Sequence, residues 1–155
     1  TPARIDFQLL PAESETTPRS VQVLVDGTDL LTLISQVERA HISHGKLTVS
    51  PAHYRGLPPT VAAPPSLHLL GHPQKGLFTD TEGRPVLYTD KLTGNASDWG
   101  ISLEIAIFRW HVVWYNFKHL QHTTWNYKNM PPLVFSRLAY EDALSHLQAL
   151  CLKNK

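Results

Sequence analysis

A single cysteine, Cys151, is all the thiol chemistry in this chain of 155 residues. One cysteine cannot form an internal disulfide, and a zinc site built on cysteine pairs is excluded as well. Cys151 falls on the apolar side of a predicted C-terminal helix, where we expect a packed thiol rather than a nucleophile. The low cysteine content favours the cytoplasm, although a chain that opens at Thr1 is also compatible with a removed signal peptide.

Long apolar runs and an excess of one charge sign are also missing. No apolar stretch approaches the roughly 20 residues that a helix needs to cross a bilayer, so the sequence predicts no membrane span. Lysine and arginine number 14 against 13 aspartates and glutamates, which gives a formal net charge of +1. Because a general nucleic-acid binder has a strongly basic balance, this charge gives no strong nucleic-acid signal.

The chain does contain enough apolar sequence for one core. Its hydrophobic fraction is 42%, so we expect residues 1–155 to form a single domain. Residues 4–10 and 20–26 alternate between apolar and polar side chains, as half-buried strands do. Residues 101–108 and 111–117 are two further predicted strands, and the second is apolar on both faces, which predicts a strand with neighbours on both sides.

Two apolar stripes at helical spacing predict helices over 28–40 and 136–152, the first begun by a cap at Asp26 or Thr28. A short strand is predicted at 85–89. Six of the twelve prolines fall between residues 50 and 76, which predicts a long ordered loop that packs Tyr54 and Leu57 onto the core. We therefore predict an α+β fold: a mainly antiparallel sheet of about five strands, with two helices on one face and a long Pro-rich loop.

Nine histidines are unusual for this length, and two pairs have H-x-x-H spacing: His41 with His44, and His119 with His122. Such pairs bind zinc where a third and a fourth ligand converge. No HExxH helix and no cysteine partner accompanies them, so we predict hydrogen-bonded or surface histidines, no metal site and no cofactor. The sequence also has no GxSxG elbow, and we predict no catalytic residue.

Aromatic and polar side chains are mixed in the segment 118–130. Trp125 and Tyr127 lie there among lysine, histidine, asparagine and threonine, and aromatic anchors with a polar rim are typical of protein interfaces. Aromatic residues are more often part of a core, and that alternative stays open. We predict that the segment is an exposed loop, and that a partner protein contacts Lys118, His119, His122, Trp125 and Tyr127.

The chain resembles a family of small, mostly uncharacterised bacterial proteins. The resemblance rests on a VDG unit before a helix, a YxGLP loop, and a C-terminal pattern of VxWxxF, WxY and YxxAL. The matching residues are Val25-Asp26-Gly27, Tyr54 to Pro58, Val112, Trp114, Phe117, Trp125, Tyr127, Val134, Phe135, Tyr140, Ala143 and Leu144. Many members carry a cysteine cluster ahead of the strand pair, which this chain lacks. The resemblance implies an architecture and no activity.

These observations favour a non-enzymatic protein-binding module. We expect a bacterial immunity or antitoxin-like protein that occludes a toxin, because the predicted domain is small, lacks catalytic motifs and carries the aromatic loop. The near-neutral charge argues against a strongly basic nuclease as the target. Two alternatives stay open: a histidine-based metal- or small-ligand-binding protein, including an enzyme without a linear motif, and a structural subunit of a larger assembly.

Overall fold

The computed structural model describes residues 1–15, 17–41 and 51–153 as an α+β chain with two antiparallel sheets and three helices. Its strands are β1 (Ile5–Leu10), β2 (Ser20–Val25), β3 (Thr28–Asp29), β4 (Tyr54–Gly56), β5 (Val86–Asp90), β6 (Ile101–Ile107), β7 (His111–His119) and β8 (Leu133–Ser136). Its helices are α1 (Leu30–Arg39), α2 (Pro59–Ala62) and α3 (Arg137–Lys153). No helix in these described ranges is long and apolar enough to cross a membrane.

The strands form two sheets instead of the single sheet predicted. The larger sheet is curled and has the order β4-β5-β6-β7-β8, and the smaller has the order β1-β2-β3. The expectation that β1 and β2 belong to the five-stranded sheet is therefore wrong. Backbone hydrogen bonds still connect the sheets, from Val21 N to Leu57 O at 2.9 Å and from Ala3 N to Val134 O at 2.7 Å. The prediction that β7 has neighbours on both sides is confirmed.

A tight turn leads from β2 into the first helix. Asp26 and Gly27 both have positive φ, at 51° and 83°, which matches the left-handed geometry of a two-residue hairpin turn. The cap differs from the prediction: Oδ1 of Asp29 accepts the N–H of Leu31 at 2.9 Å, whereas Asp26 accepts the N–H of Arg4. On α1, the i, i+4 series Leu30, Ile34 and Glu38 is fully buried.

The two long helices pack on different parts of the molecule. Helix α1 lies on β2 and β3, while α3 lies on β1, β7 and β8. The expectation that both cover one face of one sheet is therefore wrong, because α3 covers the place where the two sheets meet. Tyr140 of α3 packs edge-on against Phe7 at 6.2 Å between ring centroids, and its hydroxyl accepts the indole N–H of Trp114 at 3.1 Å.

The Pro-rich segment is more regular than the loop predicted, since it holds β4, α2 and two 3₁₀ turns, Pro51–His53 and His68–Leu70. Its predicted packing is confirmed, because Tyr54 and Leu57 are both buried in the core. Gly56 is required at the join between the sheets. A Cβ at this position would lie 2.1 Å from the carbonyl oxygen of Val21, a distance that no side chain tolerates.

Candidate functional site

The predicted binding segment begins at the end of β7 and continues through the loop 120–132. Lys118, Trp125 and Tyr127 line one wall of a cleft of about 510 Å³, together with Lys128 and Arg84. His119 and His122 are absent from this lining and lie behind Trp125, with ring centroids 5.0 Å and 4.1 Å from the indole. The structure therefore brings three of the five predicted residues to one concave surface and packs the rings of the other two against Trp125.

The indole of Trp125 is half-buried and held by other rings. The imidazole of His122 stacks on it at 4.1 Å with an interplanar angle of 9°. The ring of His41, at the end of α1, is also nearly parallel to the indole, at 6.2 Å and 16°. A side chain fixed in this way loses little rotamer freedom on contact with a ligand, which favours its use as an anchor.

Tyr127 corrects the expectation of a surface anchor, because only 7% of its surface is exposed. Its hydroxyl donates to Oε2 of Glu38 at 2.7 Å. The side chain of Tyr127 packs inward because the buried carboxyl group of Glu38 needs a hydrogen-bond donor, and a buried acceptor without one is costly. Tyr127 therefore contributes to the cleft wall mainly as a fixed element of the loop.

His119 was also expected on an exposed loop, and it is fully buried. Its Nδ1 accepts the N–H groups of Gln121 at 3.2 Å and His122 at 3.0 Å, which fixes the chain reversal after β7. Because Nδ1 is an acceptor, the proton of the neutral ring is on Nε2. Burial, with a smaller effect of the neighbouring His122, lowers the pKa of His119 to about 3.

Glu38 is the centre of a buried polar cluster. Its Oε2 accepts the hydroxyl of Tyr54 at 2.5 Å as well as that of Tyr127. Burial raises the pKa of Glu38, and the two phenol hydrogen bonds and the nearby His53 and His41 oppose that effect. Burial, and next the charge of Glu38, also raise the pKa values of Tyr54 and Tyr127, so both phenols stay protonated and donate.

Two atoms of this cluster lack partners within the described part of the chain. They are Oε1 of Glu38 and Nε2 of His119. Both belong to fully buried side chains. Tyr54 contacts both residues, since its hydroxyl donates to Glu38 and its ring centroid is 6.4 Å from that of His119. Buried polar atoms are normally bonded, so each of the two atoms could bind a group of a small polar molecule.

The loop is attached to the end of α1 at two successive residues. Nε2 of His41 lies 2.8 Å from the carbonyl oxygen of Asn126, and the hydroxyl of Tyr127 reaches Glu38. One helix end therefore sets the position of the cleft wall. Sequence reasoning missed Glu38, and the available signal was a carboxylate at i+4 from Ile34 within the apolar stripe of a helix.

The cationic side chains of the cleft differ in how far they are neutralised. Glu82 accepts ion pairs from both Arg84 at 3.0 Å and Lys118 at 3.2 Å, and Arg84 also pairs with Asp80. The ammonium of Lys128 has no ion pair among the residues described. Lys128 is therefore the side chain of the lining that most readily offers its charge to a ligand.

Other candidate chemistry is limited. Within residues 1–15, 17–41 and 51–153, no three histidine, cysteine, aspartate or glutamate side chains are arranged to hold a metal ion, and His44 of the first H-x-x-H pair lies outside these ranges. Burial raises the pKa of the Cys151 thiol, which suits a packed thiol better than a nucleophile.

Comparison of the chain with protein-family models, with curated proteins and with solved structures finds no match.

Proposed function

We propose that this chain is a non-enzymatic protein-binding module, an immunity or antitoxin-like protein of the bacterial cytoplasm that occludes a toxin by contact. We also propose that the chain is related to the small bacterial proteins that its sequence resembles. Three of the residues that carry it, Tyr54, Trp125 and Tyr127, lie in or directly behind the cleft wall. A family that keeps these residues would keep the shape of this wall.

The observation that supports the proposal most is the position of Trp125. Its half-buried indole stands at a cleft of about 510 Å³, on a stack of imidazole rings that fixes it before any partner arrives. Aromatic residues at the centre of a concave, preorganised surface dominate the energetics of protein interfaces. Lys128 and the polar residues of the loop supply the rim that such an anchor needs.

The partner should present an apolar side chain to the indole and a carboxylate to the ammonium of Lys128. This charge preference is weak, because Lys118 and Arg84 are already paired with Glu82. We therefore expect a partner selected mainly by shape, with a modest fall of the association rate as salt increases.

The test is to recover the partner from the native host with tagged protein and to repeat the recovery with Trp125→Ala and Leu138→Ala. Leu138 is an exposed apolar residue on α3, which makes it the matched control for loss of apolar surface. We expect wild type and Leu138→Ala each to recover one stoichiometric partner, and Trp125→Ala to recover none. Coexpression of the chain should relieve the toxicity of that partner. Recovery of the chain alone would contradict it.

A second candidate, a small-ligand-binding protein, is supported by Glu38 Oε1 and His119 Nε2, two of the buried atoms that lack a partner among the described residues. A donor on a bound molecule would satisfy the first atom, and an acceptor would satisfy the second. Thermal melts with zinc and with a chelator test whether the bound ligand is a metal ion. A midpoint that falls by many degrees with chelator would favour it over the binding module, which needs no metal for folding.

A further inference from the structure

The hairpin between β6 and β7 ends in a tip of exposed aromatic side chains. Phe108 and Trp110 are 57% and 68% exposed. Leu138 is 73% exposed, and it follows Arg137, whose N–H donates to the carbonyl oxygen of Trp110. Large apolar side chains scattered singly on a surface are ordinary, but three within one turn and the helix start bonded to it favour a contact surface.

Three backbone groups of the tip are already satisfied within the protein. The N–H of Phe108 donates to His111 O at 2.8 Å, and the N–H of Arg137 donates to Trp110 O at 3.0 Å. The guanidinium of Arg137 donates to Phe108 O at 3.3 Å. These three groups therefore stay paired if the tip leaves water, and an unpaired polar group would be costly in an apolar medium.

One arginine and a helix N-terminus place positive charge beside the apolar side chains. The guanidinium of Arg109 lies over the Trp110 ring, 5.0 Å from its centroid, and it has no ion pair in the described part of the chain. The N-terminus of α3 begins at Arg137 with no acidic side chain in its first turn, so the positive end of a 17-residue helix points to the same place. Glu141 neutralises Arg137, and Arg109 remains the free charge.

The tip lies far from the candidate cleft. Strands β6 and β7 are seven and nine residues long, so the two ends of the hairpin are separated by about 20 Å. The tip follows the last residue of β6, whereas the loop 120–132 follows the last residue of β7. The lining of the cleft begins within β7 at Tyr115, five residues or about 16 Å along the strand from Trp110. A molecule confined to the tip would therefore leave the cleft open.

From this geometry we propose that the tip, formed by Phe108, Arg109, Trp110 and Leu138, binds the surface of an anionic phospholipid bilayer. A tip of four residues offers too little area for a stable protein interface, which needs about 800 Å² from each partner. It suits shallow insertion between headgroups, where tryptophan and arginine are favoured. The contact would be reversible and would hold the cleft facing away from the membrane.

The test is flotation with vesicles of phosphatidylcholine, with and without phosphatidylglycerol. Wild type is expected to float with the vesicles that contain phosphatidylglycerol, and less so as salt increases. Trp110→Ala should lower the partition coefficient about tenfold, the effect of withdrawing about 50 Å² of apolar surface. Arg109→Glu should remove the preference for phosphatidylglycerol. Leu92→Ala, at an exposed leucine at the opposite end of β6, is the control and should bind as wild type does.

Thermal melts of each variant establish that it is folded, and Phe108→Ser replaces Trp110→Ala if that variant is not. The proposal is overturned if wild type does not float with either vesicle, or if Trp110→Ala floats as well as wild type. Loss of a protein partner in Trp110→Ala, without vesicle binding by wild type, would reassign the tip to a protein contact. None of these outcomes depends on Trp125. The proposed function is therefore tested separately, by recovery of the partner with Trp125→Ala.

Discussion

The hydroxyl of Tyr127 lies 2.7 Å from Oε2 of Glu38, a residue 89 positions earlier in the chain. This hydrogen bond attaches the loop that forms the cleft wall to the C-terminal turn of α1. The same oxygen also accepts the hydroxyl of Tyr54, so a strand, a helix and a loop meet at one buried carboxyl group. The shape of the cleft therefore depends on a residue that contributes nothing to its lining.

Removal of this hydrogen bond should destabilise the protein. We expect Tyr127→Phe to lower the free energy of unfolding by about 1 to 3 kcal/mol, because a buried carboxyl group loses one of its two donors. Denaturant titration measures the change, and Tyr115→Phe, at a half-buried tyrosine on β7, is the matched control. Equal stabilities of the two variants would show that the Glu38 cluster does not hold the loop.

The raised pKa of Glu38 gives stability a pH dependence with a definite sign. The folded state holds this proton more tightly than the unfolded state does, so its contribution is complete below the ordinary value of 4.5 and declines as pH rises through the raised pKa. Glu38→Gln removes the titration and keeps an acceptor for both phenols. We expect the stability of this variant relative to wild type to increase with pH from about 4 upwards.

Unfolding free energies measured across pH test this expectation, with Glu141→Gln as the control at an exposed glutamate. A difference between Glu38→Gln and wild type that does not change with pH would mean that the carboxyl group is not desolvated in solution.

His119 should act in the opposite direction. Its pKa is lowered to about 3 from the ordinary 6.5, so the folded state resists protonation. The stability associated with the neutral ring is present above pH 6.5 and is lost as pH falls towards 3. His119→Gln should flatten the acid limb of the stability curve over this range, whereas His146→Gln, at an exposed histidine of α3, should not. An unchanged acid limb would indicate that the ring of His119 is solvated.

Local patterns predicted most of the regular structure. Alternation located β1 and β2, where buried side chains recur with period two, and apolar sequence located β6 and β7. Spacing located both long helices to within two residues, and the loop residues Tyr54 and Leu57 are buried as expected. The assignment of strands to two sheets could not be predicted, because it depends on pairings that involve β4 and β8, two short strands within proline-rich sequence.

The site residues named from the sequence stay a prediction, and the structure shows only how they are arranged. The sequence places aromatic and basic residues in one loop, and Lys118 and Trp125 do reach a common cleft. The burial of Tyr127 and His119 follows from contacts with Glu38 and with the turn after β7, which no local pattern contains. A glutamate in the apolar stripe of α1 was the one signal, and its partners are distant in sequence.

The affinity of the recovered partner for Trp125→Ala tests the central claim most directly. If Trp125 is the interface anchor, its truncation should weaken binding by about thirtyfold or more, which corresponds to about 2 kcal/mol. Because the indole is only half-buried, the loss of folding stability should stay below the roughly 3 to 5 kcal/mol of a core tryptophan. Trp110→Ala is the matched control and should leave the affinity unchanged. A Trp125→Ala protein that keeps both its stability and its affinity for the partner would contradict the account.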